Sequence, residues 1–202
     1  MPSLYDIKPR FQALLRPTAA RLARAGVSAN AVTLLAAGLS VLLGLVLAVT
    51  GWPWLLLLYP PFLLLRMGLN AVDGMLAREF FRPTPLGALL NEAGDMVSDA
   101  ALYLPLALLL PAPPWLIVVT VLLAVIGEAV GITAQAIGAK RRYDGPFGKS
   151  DRALAFSALA LAAYFNILAP ALWMPFVLGA LLLLAALTIL NRMRAALAEV
   201  GA

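Results

Sequence analysis

The stretch RMGLNAVDGMLAREFFRPTPLGALLNEAGDMVSD, residues 66–99, lies between two apolar runs that are each long enough to cross a bilayer. It is nevertheless rich in acids, amides and arginines. Ionisable groups beside hydrocarbon are costly and by default carry function. The polar tip around Arg82-Pro83 marks the turn of a helical hairpin. Folding the chain back there sets residues whose numbers sum to about 164–165 opposite one another, so Asn70 faces Asp95, Asp73 faces Asn91, Arg78 faces Gly87 and Arg66 faces Asp99. Asn70, Asp73, Gly74 and Ala77 share one helical face, and Gly87, Asn91, Asp95 and Asp99 share another. The small residues Gly74, Ala77 and Gly87 let a backbone, a metal or a phosphate come close.

Composition extends the same reading outward. The 202 residues are 63% hydrophobic and 12% charged, about half the charge of an ordinary globular chain. Mean hydropathy is +0.93. Six apolar runs, at about 31–50, 53–73, 85–109, 114–138, 152–169 and 174–191, approach the roughly 20 residues needed to span a bilayer. The expected fold is therefore all-α and integral to the membrane: six spans over residues 29–202, preceded by an amphipathic interfacial helix within 1–28. In that first segment Leu4, Ile7, Phe11, Leu14 and Leu15 recur at helical spacing, opposite Lys8, Arg10 and Arg16. Residues 1–25 hold no apolar core of a signal peptide.

Fourteen of the 15 basic residues fall in the N-terminal segment, the second and fourth connections and the C-terminal segment. The first, third and fifth connections have none, and Trp52, Trp54, Trp115 and Trp173 cluster there. The positive-inside rule then places both termini in the cytoplasm. It also accounts for the net charge of +5 without nucleic acid as a partner.

The chain has no Cys and no His. Disulfides, thiolate chemistry and His-based triads are excluded, and a metal must be held by oxygen. Convergent carboxylate and amide oxygens suit a hard cation such as Mg²⁺, which commonly joins carboxylates to substrate phosphates.

Residues 70–95 resemble the signature of the CDP-alcohol phosphotransferases, D-x2-D-G-x2-A-R-x8-G-x3-D-x3-D. The chain reads N70-x2-D73-G74-x2-A77-R78-x8-G87-x3-N91-x3-D95, with matched spacing and six of eight defined positions identical. The Asn30-x2-Thr33 opening of the first span and Gly148-Lys149 before the fifth also resemble that family. The resemblance implies transfer of a phosphatidyl group from CDP-diacylglycerol to a small polar alcohol, releasing CMP, in the cell inner membrane. It implies Mg²⁺ or Mn²⁺, Asp95 as the general base, Asp73 as a metal ligand with Asn70, Asn91 and Asp95 beside it, and a nucleotide site shaped by Asn70, Asp73, Gly74, Ala77, Arg78 and Gly87. It also implies a homodimer. A soluble CDP-alcohol donor would suit the motif too.

Asn at 70 and 91 replaces the first and third Asp of that signature. Asn offers one neutral carbonyl oxygen where Asp offers a charged pair. One metal in place of two, a metal held through the substrate pyrophosphate, or a non-catalytic lipid-binding member are the alternatives this opens. An ion-coupled transporter is disfavoured by the absence of an internal repeat. Arg66 and Asp99 read either as substrate contacts or, preferably, as a buried ion pair locking the hairpin. Glu128 is either an acceptor contact or an interhelical tie. Lys149, Ser150, Arg152 and Arg141, around a Gly145-Pro146 turn and the start of a span, are candidates to hold a phosphate on the acceptor.

Overall fold

The computed structural model describes residues 4–201, and side chains from Phe11 onward. The amphipathic contributions expected of Leu4, Ile7, Lys8 and Arg10 fall outside the described side chains. Among the described residues the structure is all-helical: α1 (Leu4–Arg24), α2 (Ala29–Thr50), α3 (Tyr59–Met75), α4 (Pro85–Tyr103), α5 (Pro114–Thr133), α6 (Lys149–Tyr164) and α7 (Met174–Val200). Four segments, Ala29–Thr50, Pro53–Phe80, Pro114–Ile137 and Met174–Val200, are long and apolar enough to cross a membrane on their own composition. α4 carries Glu92, Asp95 and Asp99, and α6 has 16 residues; these two complete the six.

The chain divides into two compact units, Met1–Leu42 with Phe62–Ser98, and Leu43–Pro61 with Asp99–Ala202. In the first, the end of α1 is set by Gly26 at φ +76°. Val27 N donates to Leu22 O and Gly26 N to Ala23 O, each at 3.0 Å, and Leu22 and Val27 pack into the same cluster. These bonds satisfy carbonyls that the helix end would leave orphaned, and glycine reaches the left-handed region without a Cβ penalty. Ser28 then caps α2, its Oγ accepting from Ala31 N at 3.2 Å. Ala19 of α1 is buried with Val32, Val72, Met75 and Leu76, flanked by Leu15 and Leu69. Leu14, on the opposite side of α1, is exposed. The Arg16–Glu79 pair at 3.0 Å is largely solvated and adds little stability.

α3 continues past Met75 as one π-helical turn, Leu76–Phe80, closed by Phe81 N donating to Leu76 O at 2.8 Å. α4 starts with Thr84 as cap, its Oγ1 accepting from Gly87 N at 3.0 Å, and with Pro85 at the first position, where a missing N–H costs nothing.

In the second unit Gly44 of α2 lies directly against the Ala101 carbonyl, an approach only glycine permits. Tyr59 Oη donates to Leu102 O at 2.6 Å, and Tyr103 stacks on Phe156 with centroids 4.3 Å apart. Past Tyr103 the chain tightens into a 3-10 segment, Leu104–Leu108, at Pro105, whose ring and missing N–H interrupt the α-helical ladder. The fifth span ends at Tyr164, short of the expected residue 169, because Asn166, Leu168 and Ala169 take left-handed backbone angles. The last helix runs to Val200, beyond the expected residue 191, since Arg192 and Ala196 are buried and extend its packed face.

Candidate active site

Within the first unit the signature residues come from α3 and α4. Asp73 is 4% exposed, and its Oδ2 accepts from Thr33 Oγ1 at 2.8 Å. The same hydroxyl lies 3.2 Å from the Ala29 carbonyl, so its single proton is shared between the two acceptors. A buried carboxylate needs such donors, and hydrogen bonds to charged groups are worth about 1.5–3 kcal/mol. Asn70 donates through Nδ2 to Asp95 Oδ1 at 3.0 Å, the cross-hairpin pairing expected from folding the sequence at Arg82. Because a carboxylate oxygen only accepts, this bond assigns the amide orientation of Asn70.

Arg66, buried on α3, reaches the same carboxylate. Its Nη2 lies 3.5 Å from Asp95 Oδ1 and donates to the Asp95 backbone carbonyl at 3.1 Å. Asp95 is thus oriented by an amide and a guanidinium from one neighbouring helix. Asn91 stands one turn earlier on α4, half-buried. Arg78 and Gly87 each make a close approach of their own. A Cβ on Gly74 would sit 2.8 Å from Arg78 Nη2, so Arg78 lies over Gly74. A Cβ on Gly87 would sit 2.8 Å from Asn30 Oδ1, so Gly87 makes room for the start of α2. Ala77, half-buried, lies with Arg78 in the π-helical turn.

The signature positions thus offer two carboxylates and two amides. Among the described residues no three acidic side chains gather into a metal-binding group. Asp73, Asp95 and the amide oxygens of Asn70 and Asn91 are oxygen donors of the kind a hard divalent ion takes, and together they carry less negative charge than four carboxylates would.

Within the second unit the acidic and basic residues form a different constellation. Asp99 Oδ2 accepts from Arg152 Nε at 3.0 Å and Nη2 at 2.8 Å. Arg152 Nη2 also donates to Glu128 Oε1 at 2.9 Å, and Nη1 to the Phe147 carbonyl at 3.3 Å. Every nitrogen of this 2%-exposed guanidinium is engaged by the chain's own oxygens. Arg141 lies 3.9 Å from Glu128 Oε2 and covers the ring of Tyr143 at 4.6 Å. Arg192, 2% exposed, donates to the Gly127 carbonyl at 2.6 Å and lies 3.4 Å from Glu128 Oε2. Glu128 is thus an interhelical tie, the second of its two sequence readings. Lys149 and Ser150 open α6 as expected, behind Gly148, whose N–H donates to Asp151 Oδ2 at 2.8 Å. In the preceding loop Arg142 binds both Asp144 oxygens, at 2.8 and 3.0 Å, and Glu199 at 2.7 Å. The Arg142 hydrogen bonds hold the Asp144 carboxyl below its ordinary pKa.

Sequence reasoning did not assign Thr33 its bond to Asp73 or Arg192 its burial. The Asn30-x2-Thr33 spacing is a visible signal for the first: two polar residues on one face at the start of a span.

Comparison with known proteins agrees with this geometry. The family model for CDP-alcohol phosphatidyltransferase matches residues 26–196. The inner membrane protein YnbA of Escherichia coli K12 is 51% identical over 164 residues, covering 80% of this chain and 82% of that protein. Among solved structures, the phosphatidylinositol phosphate synthase PgsA1 of Mycobacterium tuberculosis with CDP-DAG bound superposes with a TM-score of 0.77 at 20% identity, covering 94% of this chain and 96% of that one. The same synthase with manganese and citrate gives a TM-score of 0.74 at 20% identity, covering 90% and 88%. At that identity the superposition speaks for the fold. The family match spans the signature, the Thr33 hydroxyl that holds its buried Asp73, and the α5–α7 helices that carry the Glu128 network, and on it the chain belongs to the CDP-alcohol phosphatidyltransferase family.

Proposed function

We propose that this enzyme transfers the phosphatidyl group of CDP-diacylglycerol to a small polar alcohol and releases CMP. The observation that carries this reading is the Asn70–Asp95 bond of 3.0 Å, which brings the two halves of the signature together on α3 and α4. The CDP-DAG-bound state of the M. tuberculosis synthase supports the lipid-linked donor.

In the reaction the acceptor hydroxyl oxygen attacks the phosphorus that carries diacylglycerol. The P–O bond to the cytidylate breaks, and CMP leaves with the bridging oxygen. Asp95 takes the hydroxyl proton as the new bond forms. Arg66 and Asn70 fix the Asp95 carboxylate through Oδ1, so that orientation is settled before the alcohol arrives. Thr33 does the same for Asp73. Asp73, Asp95, Asn70 and Asn91 would hold a divalent cation, Mg²⁺ or Mn²⁺, which when bound screens pyrophosphate charge. The manganese complex of the M. tuberculosis synthase supports that assignment. Gly74 and Gly87 with Ala77 and Arg78 shape the nucleotide site, and Lys149 and Ser150 serve the acceptor. The enzyme acts as a homodimer in the inner membrane with cytoplasmic termini, a location supported by the relative YnbA.

The test is release of labelled CMP from CDP-diacylglycerol in detergent micelles, with a pool of polar alcohols and Mn²⁺. Asp95→Asn is expected to lower turnover by about a thousandfold or more, as loss of a general base with its charge does, while CDP-diacylglycerol still binds. Undiminished turnover in that variant would remove Asp95 from the chemistry, and no CMP release from the unchanged chain would remove the transfer itself.

A further inference from the structure

Glu128 presents both carboxylate oxygens to three guanidiniums. Arg152 Nη2 lies 2.9 Å from Oε1, while Arg192 Nη1 at 3.4 Å and Arg141 Nη2 at 3.9 Å face Oε2. The four residues come from α5, α6, α7 and the loop before α6. Arg152 and Arg192 are nearly sealed, whereas Glu128 keeps 13% and Arg141 20% of its side chain exposed, so the cluster has one open edge. Asp99, on Arg152, brings a second carboxylate to the cluster.

Several guanidiniums converging on one oxyanion is the arrangement by which proteins hold phosphate groups. In this chain the oxyanion is covalently part of α5. A phosphate monoester carries a charge of roughly −1.5 to −2 at pH 7. Driving it onto the same arginines would set it against the Glu128 carboxylate in a poorly hydrated place, where like charges repel strongly.

We infer that Glu128 is a built-in anion filling a three-arginine phosphate site, so that the enzyme accepts an alcohol bearing no phosphate group. The anion site stands on the geometry alone. Only the statement about the acceptor rests on the proposed transfer. The inference also reverses the role expected of Arg141 and Arg152, which here hold the chain's own carboxylate.

The experiment uses the full chain in detergent, unchanged and as Glu128→Gln, with inorganic phosphate as the probe and chloride at matched ionic strength as the control. Glu128→Gln keeps the shape but leaves the arginines one negative charge short. It is expected to bind inorganic phosphate at least tenfold more tightly than the unchanged chain, and to gain thermal stability from phosphate and not from chloride. The double variant Glu128→Gln/Arg192→Gln restores the original charge balance and is expected to lose that gain. In CMP release, the preference for glycerol 3-phosphate over glycerol, as a ratio of kcat/KM, is expected to rise at least tenfold in Glu128→Gln. Equal phosphate binding by the unchanged chain and the single variant would overturn the inference. So would a single variant that folds without gaining phosphate, or one that phosphate cannot rescue when it fails to fold. Absence of CMP release with either alcohol in every variant would sink the transfer reading, while the phosphate contrast would still report on Glu128.

Discussion

Replacing Asn70 by Asp puts a carboxylate where an amide now donates to Asp95. The present bond is 3.0 Å long, and Arg66 Nη2 stands 3.5 Å from the same Asp95 oxygen. Two unit charges at that separation repel by about 5–6 kcal/mol at an effective dielectric constant near 20. The lost hydrogen bond to a charged group adds about 1.5–3 kcal/mol. Arg66 offsets a large share by facing both carboxylates, which leaves a net loss of about 2–4 kcal/mol when no divalent cation is present. For a chain of this length that corresponds to a Tm lower by roughly 5–15 °C. A cation between the carboxylates removes the repulsion, and saturation at a hundredfold excess over Kd returns about 2.7 kcal/mol. The assay is tryptophan-monitored melting in detergent, in chelator and across a Mn²⁺ titration, alongside metal dependence of CMP release. Asn70→Asp is expected to melt early in chelator, recover with Mn²⁺, and reach half-maximal activity at lower metal than the unchanged chain; Asn91→Asp should enhance that tightening. A variant with unaltered Tm in chelator and an unaltered metal midpoint would refute the reasoning, because Asn70 and Asp95 would then not share the face that meets the ion.

Three further outcomes are expected. Gly44→Ala places a methyl on the Ala101 carbonyl, 2.7 Å from its carbon, and backbone cannot swing aside. It should cost about 1–3 kcal/mol or more by thermal melting, whereas Gly38→Ala, with nothing within 4 Å, should be silent. Asp144 has a depressed pKa, chiefly from its hydrogen bonds with Arg142, so its stabilising effect is present above the ordinary carboxylate range and lost as pH falls through the depressed one. The Tm difference between the unchanged chain and Asp144→Asn should therefore be full at neutral pH and close on acidification; a difference that persists in strong acid would count against the pairing. Finally, because the chain has no native cysteine, single cysteines report topology directly. In intact cells Ala112→Cys should react with an impermeant maleimide and Arg194→Cys only after permeabilisation, and the reverse pattern would invert the orientation.

The six spans were legible because apolar runs and charge-free connections follow bilayer thickness. Hydropathy does not mark where a helix ends, which is why α7 runs on through Arg192 and Ala196. The hairpin arithmetic located the Asn70–Asp95 contact because two antiparallel helices joined by a short tip have a fixed register. That arithmetic could not find Thr33 on Asp73, which needs the placement of a helix 40 residues away. Nor could it find Arg192, whose position beside Arg194 reads as a membrane-flanking charge while its guanidinium is buried on Gly127 and Glu128. The grouping of Glu128 with three arginines depends on the rotation of α5, α6 and α7 about their own axes, and no short pattern records that.

The wide turn at Leu76–Phe80 gives this hairpin an unusual sensitivity to chain length. It holds one residue more than a regular ladder would, and Ala77 and Arg78 lie inside it. Removing a single residue there would retain Asn70, Asp73 and Asp95 and shorten the spacer by only one. If the residue removed precedes Arg78, as Leu76 does, its loss would also rotate Arg78 by roughly a quarter turn, about 100°, away from Gly74. In this fold the interval between the two halves of the signature therefore specifies an angle as much as a distance.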